Sequence, residues 1–101
     1  MATWLANIQA IITVAKLTGD IELVWPSVGG TGTSAGTDAS RIPWRDALLA
    51  LAISNNCAFT DHEALLGGRA AAVAAGAFAD SLHEAAWFYD LQAGNDVLAL
   101  A

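Results

Sequence analysis

Positive charge is what this chain has least of. Lys16, Arg41, Arg45 and Arg69 are its only lysines and arginines, set against ten aspartates and glutamates for a net charge of −6. Proteins hold nucleic acid by placing Lys and Arg on phosphates and releasing counterions. Four cations, of which only Arg41 and Arg45 lie near one another, therefore argue against a nucleic-acid partner. Cysteine is as scarce. Cys57 stands alone, so no intramolecular disulfide can form, and it reads as a small buried hydrophobe. Long apolar runs are missing too. "MATWLANIQAIITVAKL" carries Asn7 and Gln9, and "ALLGGRAAAVAAGAFA" is interrupted by Arg69, so neither predicts a membrane span. The first also lacks the basic start and small-residue cleavage site of a secretion signal. The expectation is a protein of the cytoplasm or of an assembled particle.

What the chain does have is apolar surface. Hydrophobic residues make up 55% of the 101 and charged residues 14%, where a typical domain has about 25% charged. Alanine accounts for 23 positions. A small domain with so few charges cannot coat itself, which predicts that it shares surface with another chain.

The order of elements reads as mostly α: one domain of three helices, a Gly/Thr/Ser-rich extended loop and room for one short strand. The first helix spans residues 3–18, with Trp4, Ile8, Ile11, Ile12 and Ala15 on one stripe and Gly19 placed as its C-terminal cap. Residues 20–42 read as extended. Within them "IELVW" is β-rich and stopped by Pro26, and with no second strand legible its partner would come from another subunit. A second helix covers 43–56, opened by Pro43 and closed by Asn55 and Asn56. A third covers 60–92, with Thr60 as cap and Glu63 at the capping-box spacing. In that reading Gly67, Gly68 and Gly76 sit inside the helix, where another helix crosses closely, and His62 is exposed. The tail 95–101 is apolar.

Four groups of residues invite a chemical reading. The stretch "SVGGTGTSAGTDAS" has the composition of a phosphate cradle, but five residues rather than four separate Gly30 from Gly36, Thr37 stands where a P-loop needs Lys, and Gly30, Gly32 and Gly36 miss the dinucleotide spacing by one. It reads as a flexible connector or extended arm. Arg41 and Arg45 beside a helix start form an anion-site candidate, with Asp38 and Asp46 at hand to neutralise them. "DSLHEAAW" puts Asp80, His83 and Glu84 one helical turn apart, half of a carboxylate–histidine metal site or an ordinary solvated face. Cys57 with His62 or His83 lacks any nucleophile-activating context.

The sequence therefore predicts a non-enzymatic structural subunit acting through protein–protein contacts, without cofactor, as an oligomer of itself or with another protein. A phage virion, tail or connector is the setting considered by analogy. Its expected interface is Trp25, Trp87, Val97, Leu98 and Leu100, since Trp anchors interfaces well. The alternative is a small oligomeric metal- or anion-binding protein or enzyme using Asp80, His83 and Glu84, or Arg41 and Arg45.

Overall fold

The computed structural model describes residues 1–27, 37–80 and 83–100, the last two of these by backbone alone. Most of the Gly-rich stretch, residues 28–36, lies outside the described residues, as do Ser81 and Leu82. The protein is mostly helical. Its order is α1 (Ala2–Ala15), β1 (Glu22–Trp25), α2 (Asp38–Ser54), β2 (Ala58–Asp61), α3 (Arg69–Ala74) and α4 (Ala86–Leu100).

Residues 2–15 contain neither glycine nor proline, so nothing interrupts α1. It ends in a tightened turn, with the Leu17 and Thr18 amides donating to the carbonyls of Val14 and Ala15. Gly19 lies beyond this turn and is not left-handed, so the glycine cap expected there is absent. The second helix begins five residues earlier than its proline suggested. Extended Thr37 accepts the Ser40 amide on its Oγ1 at 3.2 Å, and the Ser40 hydroxyl accepts the Thr37 amide at 3.1 Å. This reciprocal cap, with Asp38 in the first turn, outcompetes Pro43, which sits inside the helix and removes one ladder bond. The helix leaves through Asn56 at φ +53, whose amide donates to Ile53 O while Cys57 donates to Ala52 O.

β1 does have a partner within the chain. It pairs in parallel with β2, with Glu22 opposite Ala58 and Trp25 opposite Asp61. Parallel strands cannot be joined by a tight turn, and α2 is the crossover between them. Alternation along the strands puts Leu23, Trp25, Phe59 and Asp61 on one face and Glu22, Val24 and Thr60 on the other. The first face meets α2, where Asp61 approaches Arg45. On the second, the Thr60 hydroxyl donates to Glu22 Oε1, and His62, continuing the same alternation, reaches Asp96 of α4.

The single helix expected over 60–92 is not formed. Thr60 lies in β2 rather than at a cap, and a turn-rich segment follows in which Gly67 and Gly68 take φ of +95 and +107. Those angles are left-handed and end any helical continuation. Gly76, at φ +75, closes α3: its amide donates to Val73 O and that of Ala77 to Ala72 O, the Schellman pattern. An isolated bridge then joins Phe78 to Glu84. Only after it does α4 begin, and it carries most of the expected tail. The mostly helical reading holds, whereas the three-helix count gives way, among the described residues, to four helices and a two-stranded sheet.

Two small cores result. Ile12, Leu48 and Ala52 are buried between α1 and α2, where the Trp4 and Trp44 rings meet edge to face at 5.1 Å. Ala72, Ala77 and Phe88 form the second, with Leu66 and Phe78 against it.

Two glycines have opposite expected responses to alanine. Gly76→Ala forces a side chain into the left-handed region and destabilises by about 1 kcal/mol. Gly94, inside α4 with open space around its Cα, gains by about the same amount on Gly94→Ala. Denaturant midpoints of the two variants should shift in opposite directions; a shift of the same sign would contradict these helix boundaries.

Candidate functional site

Glu63 follows β2 and is buried. Its Oε2 accepts the indole N–H of Trp25 at 2.8 Å and its Oε1 accepts Arg41 Nη2 at 2.6 Å. The same Nη2 donates to Asp38 Oδ1 at 2.7 Å. Arg45, one turn further along α2, is bonded through Nε and Nη2 to Asp46, with Asp61 at 3.6 Å. Chiefly through that hydrogen bond its pKa is raised, so it stays charged. The two arginines of the anion-site candidate are therefore matched by four carboxylates. A cleft of ≈ 240 Å³ lies alongside, lined by Asp38, Ile42, Arg45, Glu63 and the Gly67–Gly68 turn. Arg41 Nε and Nη1 are buried without a hydrogen-bond partner among the described residues, but Arg69 and Arg45 on the cleft wall are balanced by Asp38 and Glu63, so the cleft offers a further anion no excess of positive charge.

The acidic and histidine candidates separate in space. Asp80 and His83 do meet, with His83 Nδ1 at 2.9 Å from Asp80 Oδ2 and the His83 amide donating to Asp80 Oδ1. They sit in the connection around the Phe78–Glu84 bridge, not on a helix, and both are largely exposed. Glu84 turns elsewhere. It accepts the Ser27 hydroxyl, and Gln92 donates to that same hydroxyl oxygen at 3.0 Å. Burial alone would raise the Glu84 pKa, but bonds from Ser27, Tyr89, its own backbone and Gln92 outweigh this and hold it below the ordinary 4.5. Among the described residues no three His, Cys, Asp or Glu side chains converge as a metal site would require.

His62, expected on the surface, is buried, and its Nε2 lies 2.7 Å from Asp96 Oδ1. Cys57 Sγ faces the Asn55 carbonyl, and among the described residues no hydrogen bond joins it to His62 or His83. No triad forms on this geometry. Strand position explains the burial: residue 62 continues the face that α4 covers.

The interface candidates divide as well. Trp25 is held by Glu63 and half-buried. Trp87 is exposed and packs edge to face on Phe88 at 5.8 Å. Val97 and Leu98 are 69% and 76% exposed, while the Leu100 side chain is outside what the structure describes. Sequence reasoning missed a second apolar face, on α1, where Ile11 and Val14 are 66% and 68% exposed beside Ala10 and Ala15. Ile11 belonged to the expected core stripe, but α1 is apolar nearly all round, and only contact with α2 decides which side is covered. No described helix is long and apolar enough to cross a membrane. Comparison with family models, with curated proteins and with solved structures finds no match to this chain.

Breaking the buried pair should be costly. Arg41→Met leaves Glu63 with a buried charge and lowers stability by about 3 kcal/mol, and adding Glu63→Leu restores about half of that loss. Denaturant unfolding of the single and double variants measures both values; a single variant within about 0.5 kcal/mol of the parent would show that the pair holds nothing. Glu84 predicts a pH effect. Because its folded pKa is depressed, its contribution is full above the ordinary carboxylate value and is lost as pH falls through the folded one. Glu84→Gln should therefore cost stability near neutrality and flatten the decline toward about pH 3, read from unfolding midpoints across that range.

Proposed function

We propose that the protein is a non-enzymatic assembly subunit that works through protein–protein contacts made by the outer faces of α1 and α4. The observation that carries this reading is the inverted polarity of α4. Its inner side holds Phe88 in the core near its start but then turns to buried Gln92 and half-buried Asp96, the latter bonded to His62, while Trp87, Leu91, Val97 and Leu98 face solvent. A helix in an isolated domain turns its apolar stripe inward. One that turns polar groups inward and leucine and tryptophan outward has a second surface to cover. The outer face of α1 supports the same reading. Its residues 2–15 carry no charged side chain, so nothing in that helix opposes apolar contact.

A stable interface buries about 800 Å² per partner, which the outer faces of α1 and α4 would supply together. The setting that suits such a subunit is a repeating particle or another protein complex in the cytoplasm, with further copies of the chain or a different protein as partner. Nucleic acid is disfavoured by the sign of the net charge. A catalytic, metal-binding or anion-binding role finds less support, because Asp80 and His83 stand apart from Glu84 and because Arg41 and Arg45 are already paired.

Sedimentation at micromolar concentration, alone and with any co-purifying protein, tests the proposal. The parent chain is expected to sediment as an oligomer or complex. Val97→Glu with Leu98→Glu should dissociate it while leaving the unfolding midpoint within about 0.5 kcal/mol of the parent, as for exposed positions. A stable monomer that binds nothing would refute the reading.

A further inference from the structure

Among the described residues the sheet has two strands, so β1 has an edge that β2 does not cover. The Ala58 amide donates to Ile21 O and the His62 amide to Trp25 O. In a parallel ladder the residues facing the partner alternate, so Ile21, Leu23 and Trp25 turn their backbone groups toward β2. Those of Glu22 and Val24 point the other way, and among the described residues no backbone group outside the ladder pairs with them. A groove of ≈ 470 Å³ runs along this edge. It is lined by Glu22, Leu23, Val24, Trp25 and Pro26 in succession and walled by Trp4, Ile8 and Leu48. None of its lining comes from β2, which places it on the open side of β1.

We propose that this edge receives an extended, basic-flanked segment of a partner protein as a third strand. Unpaired amides and carbonyls at strand spacing are complemented by another backbone. Alternate apolar side chains of the incoming segment enter the groove between Trp4, Ile8 and Leu48. Its flanking lysines or arginines meet exposed Asp20 and the Glu22 carboxylate. Charge selects a different protein over a second copy. Each copy carries −6, so two copies laid edge to edge bring together surfaces of like net charge. The inference rests on the reading that the chain works by protein contact, but it uses a surface separate from the outer faces of α1 and α4.

The test is amide exchange on the full chain with a synthetic peptide alternating valine and threonine between lysine pairs. In the free protein the Glu22 and Val24 amides should exchange fast, and the peptide should slow both by about tenfold or more. A peptide with a central proline should not slow them, and a glutamate-flanked one should do so several-fold less. Val24→Pro removes only an outward donor and should abolish the effect while leaving the Leu23 and Trp25 amides protected. Slow exchange in the free chain would show the edge already covered and would overturn the proposal. So would protection that grows with protein concentration alone, which would make a second copy the occupant. Absence of slowing at about millimolar peptide, or equal slowing by the proline or glutamate peptides, would also overturn it. The assembly reading fails separately, in sedimentation, so the two failures are distinguishable.

Discussion

The rest of this fold depends on the pairing of two four-residue strands in parallel. A two-stranded sheet is marginal on its own, and the parallel sense forces a long crossover between its strands. Both requirements are met by α2, which connects β1 to β2 and packs against them. The strands in turn place the residues that bind the layers together. Glu63, two positions beyond β2, reaches back to Trp25 of β1 and Arg41 of α2. His62, one position earlier and on the opposite face, reaches Asp96 of α4. A shift of register by one residue would exchange these two faces and break every one of those contacts.

Hydrophobic burial contributes less here than the composition suggests. Among the described residues six hydrophobic side chains are fully buried, and three of them are alanines. Polar contacts therefore carry much of the specification of how layers meet: the Gln9–Asn55 amide pair between α1 and α2, the Lys16 ammonium on the Asn55 and Asn56 carbonyls, and the Trp25–Glu63–Arg41 chain. The apolar excess of the sequence is real, but a large part of it is on the outside.

Helical segments were legible where local signals agree. The first helix and the exit of the second at Asn55 and Asn56 follow from periodicity and cap residues close in sequence. The start of α2 was misplaced because Pro43 is a common first helical residue, whereas the decisive signal was the reciprocal Thr37–Ser40 bonding. The long third helix failed for a different reason. Thr60 and Glu63 have the capping-box spacing, and only the pairing of Ala58–Asp61 with a strand some 36 positions earlier removes them from a helix; no local pattern carries that information. Gly67, Gly68 and Gly76 were the available warning. Three glycines in ten residues mark left-handed turns more economically than they mark a helix crossing. At the candidate sites, three- and four-residue spacing joined Asp80 to His83 but also joined Glu84, which the bridge to Phe78 turns toward Ser27.

The polar inner side of α4 has a consequence for how the molecule opens. Phe88 anchors the first turns of the helix in the second core, but beyond it the contacts are hydrogen bonds through Gln92 and Asp96. Such contacts are exchanged for water at little net cost when they break, and little apolar area is exposed in the process. The end of α4 should therefore open at a lower free energy than its Phe88-anchored start, lifting from the sheet while the β1–α2–β2 unit stays closed.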